Sequence, residues 1–137
     1  MHFEWFQHCC HSSPRAIMTD AADAMTEEKL EIPQVYKHHI FACFTQRPPQ
    51  HPRGSCGANG AQPLWERLGK QIEATGQRDL CMTASGCLSF CQAGPIMVVY
   101  PEGIWYVPRT PEDIDEIVSS HLVGGKPVER LIIVPRI

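Results

Sequence analysis

The sequence holds no apolar run near the roughly 20 residues that a bilayer-spanning helix needs, so no membrane-embedded segment is expected. It lacks a basic stretch followed by an apolar one near its start, and no secretory leader is expected there. Positive charge is not in excess: the formal net charge is −3, which removes a strongly basic nucleic-acid binder from the first rank of readings. The compositional bias of disordered chains is also missing, with 43% apolar and 20% charged residues. At 137 residues, one domain with its own core is the expected size. Two residue types are abundant instead. Twelve prolines foretell several loops, and seven cysteines (Cys9, Cys10, Cys43, Cys56, Cys81, Cys87 and Cys91) foretell chemistry. An odd cysteine count without a leader fits a disulfide scaffold poorly, so metal ligation or redox chemistry in a reducing, cytoplasmic setting is the expectation.

Charge divides the chain near residue 34. Residues 1–34 carry two basic and six acidic side chains, whereas the remainder is nearly balanced. The first segment has no sustained pattern beyond a short helix from Ala21 to Leu30, and either Met18 or Met25 could be the true start. Residues 1–34 are therefore read as a disordered or mis-called N-terminal extension, and 35–137 as the folded domain.

Within that domain Val35 to Phe44 reads as a strand, followed by a loop enforced by Pro48, Pro49, Pro52 and Gly54. Gln62 to Thr75 reads as a helix with Leu64, Trp65, Leu68 and Ile72 on one face and Gly76 as its C-terminal stop. Asp79 to Ala84 is a second strand, and Ile96 to Tyr100 with Ile104 to Val107 form a hairpin. Thr110, Pro111 and Asp113 have the order of a capping box opening a last helix, which Gly124 and Gly125 end. Val128 to Val134 would add a further strand. The order is β-α-β, a cysteine loop, then β-β-α, an α/β arrangement.

Cys43 and Cys56 are separated by twelve residues, Cys56 and Cys87 by thirty, and Cys87 and Cys91 by three. Both pairs fall on loops after strands, where irregular backbone can aim thiolates at one point. Four thiolates suit zinc or an iron–sulfur cluster. The twelve-residue gap is unlike a tight zinc knuckle, the Cys-x₄-Cys-x₂-Cys run of plant-type ferredoxins is absent, and so is a Cys-x-x-Cys dithiol. Spacing alone leaves iron–sulfur and zinc open.

Four sequence blocks carry a resemblance. They are Ile40–Cys56 (IFACFTQRPPQHPRGSC), Gly86–Pro95 (GCLSFCQAGP), Val98–Tyr106 (VVYPEGIWY) and Gly124–Arg130 (GGKPVER). In this order they resemble the thioredoxin-like 2Fe–2S ferredoxins of the Shethna-protein type, over about residues 36–134. The resemblance implies a thioredoxin-like fold with a mixed sheet, commonly a homodimer, and one 2Fe–2S cluster bound by Cys43, Cys56, Cys87 and Cys91. It implies a one-electron carrier serving redox partner proteins, not an enzyme; the charge and the absence of a long apolar run already argued against nucleic acid or membrane as partner. The N-terminal 34 residues and the extra cysteines depart from the family pattern. The alternatives are a zinc-stabilised Cys₄ binding module and a thiol redox enzyme using Cys87 or Cys81.

Such a cluster with four thiolates carries about −2 charge oxidised and −3 reduced. Arg47 and Arg53, with no carboxylate between Cys43 and Cys56, suit that charge, and Gly54, Gly57 and Gly86 would let backbone N–H groups approach sulfur. Cys81 is expected to be a buried structural thiol, His38 and His39 to be core or surface histidines rather than ligands, and His8-Cys9-Cys10-His11 to be incidental. Trp65, Trp105 and Tyr106 are expected in the core or at a dimer contact. Pro95 occupies a place where thioredoxin folds often keep a cis-proline.

Overall fold

The computed structural model describes residues 31–136. The expected helix at Ala21–Leu30 and the cysteines at 9 and 10 lie outside the described residues. A five-stranded mixed sheet runs in the order β2-β1-β3-β4-β5. Its strands are β1 (His38–Cys43), β2 (Leu80–Ser85), β3 (Met97–Tyr100), β4 (Ile104–Tyr106) and β5 (Ile132–Ile133). β1 is central: it pairs in parallel with β2 and antiparallel with β3, and Ile40 and Ala42 are fully buried.

The parallel pair β1/β2 needs a crossover, and α1 (Ala61–Thr75) supplies it. Its apolar stripe Leu64, Trp65, Leu68 and Ile72 is buried, as the helical spacing requires, and Trp65 donates from Nε1 to the carbonyl oxygen of Cys43 (2.9 Å). Gly76 ends the helix in the left-handed region (φ 68°) and donates to the Glu73 carbonyl. α2 (Pro111–Glu116) opens with a complete capping box: the Thr110 hydroxyl accepts from the Asp113 N–H, and the Asp113 carboxylate accepts from the Thr110 N–H. A π-helical segment, Ile117–Val123, continues α2, and it closes with Gly125 at φ 74°.

Three expectations change. The first strand starts at His38, not Val35, because β2 begins pairing only there. The strand expected over Val128–Val134 is instead a 3₁₀ turn, Glu129–Leu131, followed by only two residues of β5. The widened turn after α2 follows no side-chain periodicity and was not foreseen. Both Gly94–Pro95 and Tyr100–Pro101 are cis, the first at the place the resemblance suggested.

Candidate metal centre

Parallel pairing decides where the cysteines meet. Cys43 ends β1 directly opposite Ser85, which ends β2, so the loops after both strands leave the same end of the sheet. The first loop returns Cys56 and the second carries Cys87 and Cys91. The sulfurs of Cys43, Cys56 and Cys91 lie within 4.8 Å of one another, and the sulfur of Cys87 is 3.2 Å from that of Cys91. Cys43, Cys56 and Cys91 are buried, while Cys87 is exposed. Cys81 is buried in β2 and does not join the converging set.

Short polar links shape the first loop and tie it to the second. The N–H of Gly57 donates to the Thr45 carbonyl (2.9 Å), and buried Ser55 accepts at Oγ from the N–H groups of Arg47 and Ala58. The Asn59 side-chain amide donates to the Cys91 carbonyl (3.1 Å), joining the first loop to the second. Gly94 packs close against the cysteines: a Cβ there would stand 2.7 Å from the Cys56 sulfur and 3.1 Å from the Cys91 carbonyl oxygen. In the turn from Cys87 to Cys91, Ser89 sits in the left-handed region (φ 72°), and its N–H donates to the Cys87 sulfur (3.3 Å).

Glycine roles differ from expectation. Gly57 is tight, since a Cβ would collide with the Gln46 side chain. Gly54 and Gly86 have nothing within 4 Å of an added Cβ, and Gly54 is there for its φ of 57°. Gly94, Asn59 and Ser55 escaped the sequence reading. For Gly94 the available signal was its position between Cys91 and Pro95.

The electrostatics are those of a site built for anions. Arg47 is anchored by donation from Nη1 to the Gly54 carbonyl (2.8 Å), and its guanidinium hydrogen-bonds the sulfurs of Cys87 and Cys91. The Arg47 contact, with a further hydrogen bond from Cys91, lowers the Cys87 thiol to about 7. Burial alone would raise Cys43, but hydrogen bonds from the Thr45 side chain and backbone, from Cys56 and from the Leu88 backbone hold it below the ordinary thiol value. Cys56 and Cys91 are pushed up by burial and by their cysteine neighbours. Three thiols at one point and a fourth beside one of them, with a cation and backbone donors aimed at them, fit a thiolate-ligated iron–sulfur group by donor type and charge. Arg53 is exposed, and its backbone N–H donates to His51 Nδ1.

No family model matches the chain. Individual relatives do. A protein named "Ferredoxin, 2Fe-2S" from Aquifex aeolicus (strain VF5) is 45% identical over 97 residues, which is 69% of this chain and 87% of the relative. A second of that name, from Clostridium pasteurianum, is 37% identical over 96 residues, 69% of this chain and 94% of the relative. This chain belongs to the 2Fe–2S ferredoxins. The thioredoxin-like 2Fe–2S ferredoxin from Aquifex aeolicus, in its wild-type crystal structure, superposes on this ferredoxin with a TM-score of 0.69 at 43% identity. The match covers 73% of this chain and 99% of that one. A second structure of the Aquifex protein gives a TM-score of 0.69 at 44% identity, over 72% of this chain and 92% of the other. The fold is therefore thioredoxin-like, as the four sequence blocks implied.

Proposed function

We propose that Cys43, Cys56, Cys87 and Cys91 hold one 2Fe–2S cluster per chain, and that this ferredoxin carries single electrons between redox partner proteins. The convergence of three buried sulfurs within 4.8 Å, with a fourth 3.2 Å from one of them, carries the reading. A bound 2Fe–2S cluster supplies storage for one electron. The chain's own residues do the rest. Burial of Cys43, Cys56 and Cys91 excludes water from three of the thiolates, and Arg47 offsets the negative charge at Cys87 and Cys91. Backbone N–H groups of Thr45, Leu88 and Ser89 donate to sulfur and favour the thiolate form. Exposed Cys87 marks the side where a partner comes nearest, and electron-transfer contacts of this kind are small and transient.

The same reading makes the folded domain 35–137, with 1–34 an extension. It makes the working unit a homodimer, supported by the family resemblance and checked by light scattering. It places the protein in the cytoplasm, a reducing compartment that suits five cysteines outside disulfides among the described residues. No helix among the described residues is long and apolar enough to cross a membrane.

A reductive titration tests the carrier role. One electron should be taken up per chain at a potential near that of plant-type clusters, about −400 mV. Uptake of no electron, or two per chain as in a dithiol couple, would overturn it.

A further inference from the structure

The end of the sheet opposite the cysteines holds a second cluster of ligating side chains. His38 opens β1, and the antiparallel register of β3 brings Tyr100 opposite His39, so the β3–β4 turn with Glu102 folds over that end. His121, on the π-helical segment, completes the group. Donor atoms of His38, Glu102 and His121 all lie within 4.8 Å of one another. Glu102 Oε2 is 3.4 Å from His38 Nδ1, and its Oε1 is 3.9 Å from His121 Nε2.

The decisive feature is His38. It is 4% exposed, yet neither ring nitrogen has a hydrogen-bond partner. A buried polar group left unsatisfied is destabilising, and in a folded protein it calls for an explanation. His121 is 1% exposed, and its Nδ1 is held at 2.9 Å by the Tyr106 hydroxyl, which in turn accepts from the Val128 N–H (3.1 Å). That link fixes the ring and leaves Nε2 facing Glu102, the arrangement in which a hydrogen bond to the far nitrogen orients a metal-binding imidazole. Tyrosine oxygen can donate or accept, so it tolerates the tautomer that frees the Nε2 lone pair.

We propose that His38, His121 and Glu102 form a cation site for Zn²⁺, separate from the cysteine centre. Two imidazoles and one carboxylate are a zinc donor set with a fourth position left for water. At zinc–ligand distances of about 2.0–2.2 Å, tetrahedral donors stand roughly 3.4 Å apart. Each ring faces its own oxygen of Glu102, His38 at 3.4 Å and His121 at 3.9 Å, so the carboxylate straddles the space between the rings and small side-chain movements bring all three donors to that spacing. Glu102 is about one-third exposed and provides the mouth of the site. Bound there, the ion ties together β1, the β3–β4 turn and the π-helical segment. The six residues of β1 separate it from Cys43, a rise of roughly 17 Å.

The test uses the full, cluster-loaded chain carrying Cys9→Ser and Cys10→Ser, which silences the thiols of the His8–His11 tetrad. Titration with ZnCl₂ in a calorimeter should give one saturable site per chain, with the visible spectrum unchanged. X-ray absorption at the zinc edge should show nitrogen and oxygen neighbours with imidazole scattering and no sulfur. Glu102→Gln, a change at a partly exposed side chain, should weaken binding at least tenfold, and zinc should raise the thermal midpoint of the parent but not of this variant. His38→Gln should do the same. No saturable site, sulfur in the zinc shell, or Glu102→Gln binding zinc as tightly as the parent would overturn the proposal.

Discussion

Arg47 bridges the two cysteine loops, with Nη1 on the Gly54 carbonyl and the guanidinium on the sulfurs of Cys87 and Cys91. Its contact lowers the Cys87 thiol to about 7, so more of Cys87 is thiolate at neutral pH than an ordinary cysteine would show. In cluster-free protein, alkylation of Cys87 by iodoacetamide should reach half its limiting rate near pH 7. Arg47→Ala should move that midpoint upward towards the ordinary thiol value of 9.0, and an unmoved profile would show that the guanidinium is not the cause. Gly94 allows a second test at the same scale. An added methyl would press on the Cys56 sulfur at 2.7 Å, whereas one at Gly86 meets nothing within 4 Å. Gly94→Ala should lower visible absorbance per chain substantially and Gly86→Ala should leave it unchanged. Equal absorbance in both would refute the close packing argued for Gly94.

The elements were legible where local chemistry dictates them. Thr110, Pro111 and Asp113 spelled a capping box, and the helix begins there with both reciprocal bonds in place. Burial alone would raise the Asp113 pKa, but the Arg109 N–H, the Arg130 guanidinium and the Thr110 N–H hold it below the usual carboxylate value. A carboxylate depressed in the folded state stabilises the fold above its unfolded pKa, and that contribution fades as pH falls through the lower, folded pKa. Thr110→Ala should cost about 1 kcal/mol in urea unfolding. Asp113→Asn should flatten the loss of stability on acidification below about pH 4, and a parallel acid profile in parent and variant would contradict this. The stripe on α1 was equally readable, since 3.6-residue spacing needs no tertiary information. Other features depended on partners. The start of β1 waits on β2, β5 is two residues long, and the π-helical turn carries His121 onto the Tyr106 hydroxyl from fifteen residues away. The contrast between Gly94 and Gly86 is of the same kind, because close approach to sulfur depends on the path of a distant loop.

For the whole molecule, the parallel pairing of β1 and β2 is the organising fact. It sends two cysteine-bearing loops from one end of the sheet, while the antiparallel β3–β4 hairpin returns Glu102 to the other. Sequence spacing alone left zinc and iron–sulfur open for the four cysteines; the ordered blocks and the two relatives named as 2Fe–2S ferredoxins bring the family in. Residues 33–137 make one compact unit containing all four converging cysteines. A chain starting at Ile32 should therefore stay soluble with its visible spectrum intact, and loss of either would make the preceding residues part of the domain. The central claim is most directly tested by iron and acid-labile sulfide analysis of the freshly purified protein beside single alanine variants of Cys43, Cys56, Cys81, Cys87 and Cys91. Two iron and two sulfide per chain are predicted for the parent and for Cys81→Ala, with large losses at each of the other four. A colourless, zinc-filled parent, or a Cys81→Ala variant that loses iron while Cys87→Ala keeps it, would contradict the account.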